Sequence, residues 1–216
     1  LNLNNFKGEL VRDDFTEKQW NEIQLGLDAG FDVSIYAKKY FHHKQMRELR
    51  LAQEKGIQLL SSLCDRYLHS KEIHLAVLCI EKGYELKYFV SKAFNFKQKE
   101  QIYLGMESKV AYQRYALPIH NEWKMQEVRL AMERGYNLLP YLDTHNHNQL
   151  RQIRLGMVRG VNYHVYDDVR FKQAQMAEIL AGLREGIDVS NYADYNLSIE
   201  EMRLRIIKLK NENKAT

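Results

Sequence analysis

An all-α solenoid is the fold this sequence predicts, and three observations predict it. The stretch "LGLDAGFDVSIYA" at 25–37 returns as "LAGLREGIDVSNYA" at 180–193. Around both, one layout recurs: Gly30, Gly56, Gly83, Lys109, Gly135, Gly160 and Gly186 stand at intervals of 26, 27, 26, 26, 25 and 26 residues. Only two prolines occur in 216 residues, and no Ser/Gly-rich or Pro-rich stretch offers a flexible linker. The expected organisation is one continuous domain. Residues 1–14 form an N-terminal cap, 15–194 hold seven degenerate helix–turn–short-helix repeats of about 26 residues, and 195–216 form a C-terminal capping helix.

Each repeat opens with a helix start. Fifteen residues before the anchor stands an apolar group: Phe15, Phe41, Leu68, Phe94 and Phe171, then Leu197 in the terminal segment, with His120 and His145 as exceptions. An N-cap residue type often follows, as at Thr16, Asn95, Asn121, Asn146 and Ser198. Three positions on comes Gln or Glu (Gln19, Gln45, Glu72, Gln98, Gln149, Gln175, Glu201), which is capping-box spacing. The next residue is apolar at Trp20, Met46, Ile73, Met125, Leu150, Met176 and Met202, placing it to close on the earlier Phe as a hydrophobic staple. Lys99 breaks that column once.

Down each helix, apolar residues recur with three-and-four spacing, as in Trp20, Ile23, Leu27 and Met125, Val128, Met132, giving one buried face. Beside it runs a column of small residues: Gly26, Ala52, Cys79, Gly105, Ala131, Gly156 and Gly182. Glycine inside a helix costs about 1 kcal/mol relative to alanine, so the column is expected where a neighbouring helix approaches closely. The anchor glycine then ends the helix in the left-handed conformation. Lys109 must either adopt that conformation at a cost of about 1–2 kcal/mol or end its helix differently. Asp32, Asn137, Asn162 or Asp188 then caps a second, shorter helix such as "VSIYAKKY". Six residues after the anchor stands an aromatic (Tyr36, Phe89, Tyr115, Tyr141, Tyr166, Tyr192), with Ser62 in the second unit; a repeated aromatic reads first as packing between units.

The grammar Q-M-x-E-I-R-x-G-L-x-x-G-x-D-V-S-x-Y-A, carried by "QWNEIQLGLDAGFDVSIYA" (19–37) and "QMAEILAGLREGIDVSNYA" (175–193), resembles a short helical repeat of proteins from Gram-positive bacteria, their phages and mobile elements. Partial copies are "QMRELRLAQEKG" (45–56) and "MQEVRLAMERG" (125–135). The resemblance implies a mobile-element setting and a binding role, and it carries over no active site. Units two to four depart most, reading "QLLSSL", "ELKYFV" and "AYQRYA" where "DVSxYA" would stand.

Composition narrows the function classes. Apolar residues make up 45% of the chain, enough for a packed core. No apolar run reaches membrane-spanning length. The start "LNLNNFKGEL" lacks the basic-then-apolar pattern of a signal peptide. Cys64 and Cys79 lack metal or redox spacing and read as small apolar residues of a reducing cytosol. A net charge of +4, spread over both halves, does not by itself indicate nucleic acid.

The expected partner is a protein, bound without catalysis in the bacterial or host cytosol, with neither membrane nor small-molecule cofactor. Among the 14 tyrosines, Tyr103 and Tyr112 gather with Gln113 and Arg114 near the irregular fourth unit, a candidate contact patch. Tyr115 beside them suits core packing equally. Nucleic acid is the alternative partner. Arg47, Arg50, Arg129, Arg151 and Arg154 recur on one helix face, where a ladder of guanidinium groups could grip phosphates. Glu54, Glu81, Glu107 and Glu133 lie further along that face and offer ordinary intrahelical pairing instead. In "DTHNHNQ", His145 and His147 with Asp143 lack the further ligand and second-sphere support a metal site needs, and read as turn residues. No HExxH, phosphate-binding loop or nucleophile elbow is present.

Overall fold

The computed structural model describes residues 10–59 and 61–215, and these are all-helical, with no strand among them. Residues 1–9 of the expected N-terminal cap lie outside the described residues. The helices are α1 (Glu17–Asp28), α2 (His43–Glu54), α3 (Ser70–Glu81), α4 (Lys87–Val90), α5 (Phe96–Glu107), α6 (Glu122–Met132), α7 (His147–Arg159), α8 (Gln173–Arg184) and α9 (Ile199–Ala215). Two compact units are delimited, Leu1–Tyr103 and Leu104–Thr216. In the first, α1 packs on α2 and α2 on α3. In the second, α6, α7, α8 and α9 pack each on the next.

The long helices begin as their capping boxes dictate. Thr16 Oγ1 accepts the Gln19 N–H at 3.3 Å while Gln19 Oε1 accepts the Thr16 N–H at 2.9 Å. Histidine replaces the usual oxygen twice: His42 Nδ1 accepts from Lys44 N–H at 3.3 Å and His69 Nδ1 from Lys71 N–H at 3.2 Å. Phe15 and Trp20 close the staple with ring centroids 6.3 Å apart.

The same glutamine does more than cap. Gln19 Nε2 donates to the main-chain oxygens of Lys39 and Phe41, at 3.2 and 2.6 Å. Gln45 serves Arg66 and Leu68 at 3.2 and 2.6 Å, Gln149 serves Val169 and Phe171 at 2.8 Å each, and Gln175 serves Tyr195 and Leu197 at 3.0 and 2.7 Å. One amide thus fixes its own helix start and the loop one period later. Lys124 fills the role in α6, donating to Leu142 O at 2.8 Å. Where the third unit has Glu72, which cannot donate, the irregular Lys99 supplies the cation: its buried ammonium, 1% exposed, lies 2.5 Å from Glu72 Oε1. The break at Lys99 compensates the change at Glu72.

Helix ends are uniform. The N–H after each anchor donates to the small residue five back, from Phe31 to Gly26 at 2.9 Å through to Ile187 to Gly182 at 2.9 Å, with Val110 to Gly105 at 3.0 Å in the fourth unit. Lys109 takes the left-handed conformation at φ 55, so this unit keeps the common ending at the cost of a strained side-chain-bearing residue.

Two expectations are corrected. The second, shorter helix is a three-residue 3₁₀ turn in most units (Val33–Ile35, Tyr112–Arg114, Leu139–Tyr141, Tyr163–Val165, Val189–Asn191). It becomes an α-turn only as α4 and is a plain turn at 61–64. Asp32 and Asp188 start such turns by accepting Ser34 and Ser190 N–H, each at 3.0 Å. The turn stops because its aromatic dives inward at once. That aromatic also explains the small-residue column: at its glycines the nearest atoms belong to the following turn of the same repeat rather than to a neighbouring helix. A Cβ built on Gly26, Gly105, Gly156 or Gly182 would lie 2.0, 2.0, 2.1 or 1.6 Å from the hydroxyl of Tyr36, Tyr115, Tyr166 or Tyr192, ten residues later in the same repeat. Where the small residue carries a Cβ, the buried tyrosine is missing: Ala52 is matched by Ser62 and Cys79 by Phe89. Ala131 is matched by Tyr141, whose hydroxyl turns away to donate to Asp167 Oδ2 at 2.7 Å.

Candidate functional site

The arginine face is mostly satisfied within the protein. Arg50 is buried and donates from Nε to Glu22 Oε2 at 3.0 Å, with Glu54 completing the pair through Nη1. Arg129 is buried against Glu133 at 2.5 Å, and Arg154 meets Glu127 Oε2 at 2.6 Å with both side chains largely covered. Of the five arginines, only Arg47 and Arg151 are exposed. The pairing has a rule that the sequence reading lacked. The acid eight residues before an anchor meets a basic side chain of the following helix: Glu22 with Arg50, Glu48 with His74 at 2.9 Å, Glu127 with Arg154, and Glu178 with Arg203 at 2.6 Å. The "E" of the repeat grammar is therefore an adhesive between successive helices. Arg50 and Arg154, engaged in this way, and Arg129, paired with Glu133 of its own helix, are unavailable to phosphates unless those bonds break.

The tyrosine patch divides. Tyr103, the last residue of the compact unit Leu1–Tyr103, is half-buried, edge-on to Tyr84 at 6.4 Å and with Lys82 Nζ 5.8 Å from its ring centroid. Tyr112, Gln113 and Arg114, in the other unit, form one 3₁₀ turn. Gln113 and Arg114 are exposed, while the half-buried Tyr112 puts its Cβ 2.9 Å from where a side chain on Gly105 would begin. Tyr115 is core: it is fully buried, and burial pushes its hydroxyl well above the usual range for tyrosine. Tyr192 is pushed up to about 12, first by burial and then by Glu185 and Glu178.

Just past that turn, the second unit exposes apolar bulk that the sequence reading missed. Ile119 is 84% exposed, Trp123 54% and Leu117 48%. All three lie within seven residues, on the approach to α6 and in its first turn. Trp123 approaches His147 at 6.2 Å between ring centroids. The signal in the sequence was partial. Ile119 stands immediately before the buried His120, at a position that is Asp14, Thr144, Arg170 or Asn196 elsewhere but also Tyr40, Tyr67 or Ala93.

The histidines have structural work. His145 is buried, with Nδ1 2.8 Å from Thr144 Oγ1 and Nε2 2.7 Å from Asp167 O, so neither ring nitrogen is left over for a metal. His120 fills a Phe position with Asp143 3.6 Å away. Burial lowers its pKa, Asp143 opposing and Lys124 adding to the shift. Among the described residues, no group of three or more His, Cys, Asp or Glu could hold a metal ion, and no helix is long and apolar enough to cross a membrane. No family model, curated protein or solved structure matches the chain.

Proposed function

We propose that the protein is a noncatalytic docking scaffold whose seven repeats stack as a solenoid and present side chains to a protein partner. The observation that carries this reading is the apolar group Leu117, Ile119 and Trp123. A branched aliphatic at 84% exposure and, four residues on, a half-exposed indole are costly surface in water. Aromatic and aliphatic anchors of this kind supply most of the energy of protein interfaces, and polar neighbours such as Gln113 and Arg114 suit a rim. In the mobile-element setting that the repeat grammar implies, the role is inhibition of a host enzyme or defence complex by covering its working surface.

The test is capture by the tagged chain from lysate of the native host, with nuclease and at high salt, beside the variant Ile119→Asp/Trp123→Ala. A discrete protein recovered by the wild type and lost by the variant supports the scaffold. Recovery of nucleic acid alone, or of the same proteins by both chains, overturns it.

A further inference from the structure

On one edge of the compact unit Leu1–Tyr103 the exposed Arg66 lies beside two tyrosine rings, with no carboxylate in contact with its guanidinium among the described residues. The Arg66 guanidinium lies 5.6 Å from the Tyr40 ring centroid and 4.9 Å from that of Tyr67, and Lys92 sits over Tyr67 at 4.6 Å. The loop beneath is pinned. Gln45 donates to the Arg66 and Leu68 oxygens, and Asp65 Oδ1 accepts the Tyr67 N–H at 3.0 Å. The flanking cations are already neutralised, Lys39 by Asp14 at 2.8 Å and Lys92 by Asp65 at 3.0 Å. No carboxylate pairs with Arg66 among the described residues. Tyr67 is 68% exposed, and with Arg66, Lys44, His42 and His69 it lines an open hollow of about 380 Å³. Lys44 lies in the first turn of α2, the positive end of that helix, a placement that an anion in the hollow would make favourable.

The other compact unit holds a comparable arrangement, one position along in the repeat layout, with its arginine already paired. Arg170 stacks on Tyr195 at 3.9 Å, and its Nε donates to both carboxylate oxygens of Asp168 at 3.0 Å. A ring fixes the guanidinium plane, and the fork then takes a carboxylate in two-point fashion.

We infer that Arg66 is an anchor for an acidic side chain of the protein partner, whose carboxylate enters the hollow and does for Arg66 what Asp168 does for Arg170. This rests on the protein-binding reading and names the chemistry of the partner at this edge. Charge order selects a protein over a nucleic-acid strand. Asp14 and Asp65 interrupt the cations, so a continuous row of phosphates would meet alternating signs. The Tyr67 ring is already engaged by two cations, which disfavours base stacking.

The experiment uses the full chain with a fluorescent octaglutamate peptide, an octaglutamine control and an oligothymidylate. Binding is read by anisotropy and by the Nε–Hε resonance of Arg66. Octaglutamate is expected to move that resonance and octaglutamine to leave it in place. Arg66→Lys keeps the charge but loses the fork, and is expected to weaken octaglutamate binding about tenfold. Arg47→Lys leaves binding unchanged. An unmoved resonance, equal affinity of Arg66→Lys, or preferred binding of oligothymidylate through Arg66 overturns the inference. The Ile119→Asp/Trp123→Ala variant reports on the second unit and leaves this edge intact, so the two proposals fail separately.

Discussion

Replacing Gly182 by alanine isolates the contact that sets the repeat. The added methyl would lie 1.6 Å from Tyr192 Oη, so the ring must leave a site in which it is fully buried. Displacing a buried aromatic costs about 3–5 kcal/mol, and the better helix propensity of alanine returns about 1 kcal/mol. The net expectation is a loss of about 2–4 kcal/mol. Tyr192→Phe should behave in the opposite way. Its hydroxyl is buried without a hydrogen-bond partner, so removing it is expected to stabilise by about 1 kcal/mol. In the double variant the nearest atoms to the methyl are the ring Cζ at 3.0 Å and Val189 Cγ1 at 3.4 Å, gaps that a small ring shift relieves. The cycle should therefore show coupling of about 2 kcal/mol, read as urea midpoints at unchanged slope. A double variant no more stable than Gly182→Ala alone would refute the packing rule. The chain has made a similar substitution itself, with Cys79 opposite Phe89.

Other perturbations probe the remaining rules. Lys99→Met or Glu72→Gln alone strands one member of a covered ion pair and should cost about 3 kcal/mol, whereas the double variant restores the common Gln-and-apolar pattern and should unfold near or above the wild-type midpoint. Lys109→Gly relieves a left-handed backbone at φ 55 and should stabilise by about 1 kcal/mol, measured by the same denaturation; a loss would show that the lysine side chain matters more than the strain. His120 titrates below its unfolded value because burial disfavours the cation, so its contribution is complete above the unfolded pKa near 6.5 and is lost as pH falls through the lower folded value. His120→Phe should remove that acid-side fall in stability between neutral pH and pH 5; an unchanged slope would assign it to other groups. Tyr192 has the reverse sign on the alkaline side: its contribution is present below pH 10 and lost as pH rises through about 12, so absorbance titration should show a class of late-ionising tyrosines that Tyr192→Phe diminishes.

The all-helical fold and its helix starts were legible because they are local. A capping residue, an amide three positions on and an apolar stripe all act within one or two turns, and the spacing survives any drift of the rest. Helix ends were legible for the same reason, down to the question posed by Lys109. The aromatic turn was misread because "VSIYAKKY" carries helical spacing, while the buried Tyr36 closes the turn after three residues. The link between Gly26 and Tyr36 lies ten residues apart, outside any helical period, and only the substitutions at Ala52, Cys79 and Ala131 hint at it. The candidate site was hardest to read. Arg50 and Arg47 look alike in sequence, and what separates them is Glu22 on the preceding helix, which a list of intrahelical spacings does not reach.

The departures from the repeat sort themselves by whether the protein answers them. Glu72 is answered by Lys99, Cys79 by Phe89, and the outward Tyr141 by Asp167. Each is a change in one place matched by a change in another, so stability accounts for it. Ile119 and Trp123 have no such answer: each leaves apolar surface in water that a polar residue in that place would not. Arg66 has none either, although Arg170 demonstrates that a stacked arginine on such an edge can take a carboxylate from its own chain. On the docking reading proposed above, positions that break the shared layout without internal compensation are the candidates for contact with a partner. Among them are Leu117, Ile119 and Trp123 in one compact unit and Tyr40, Arg66 and Tyr67 in the other, an apolar candidate and a charged one.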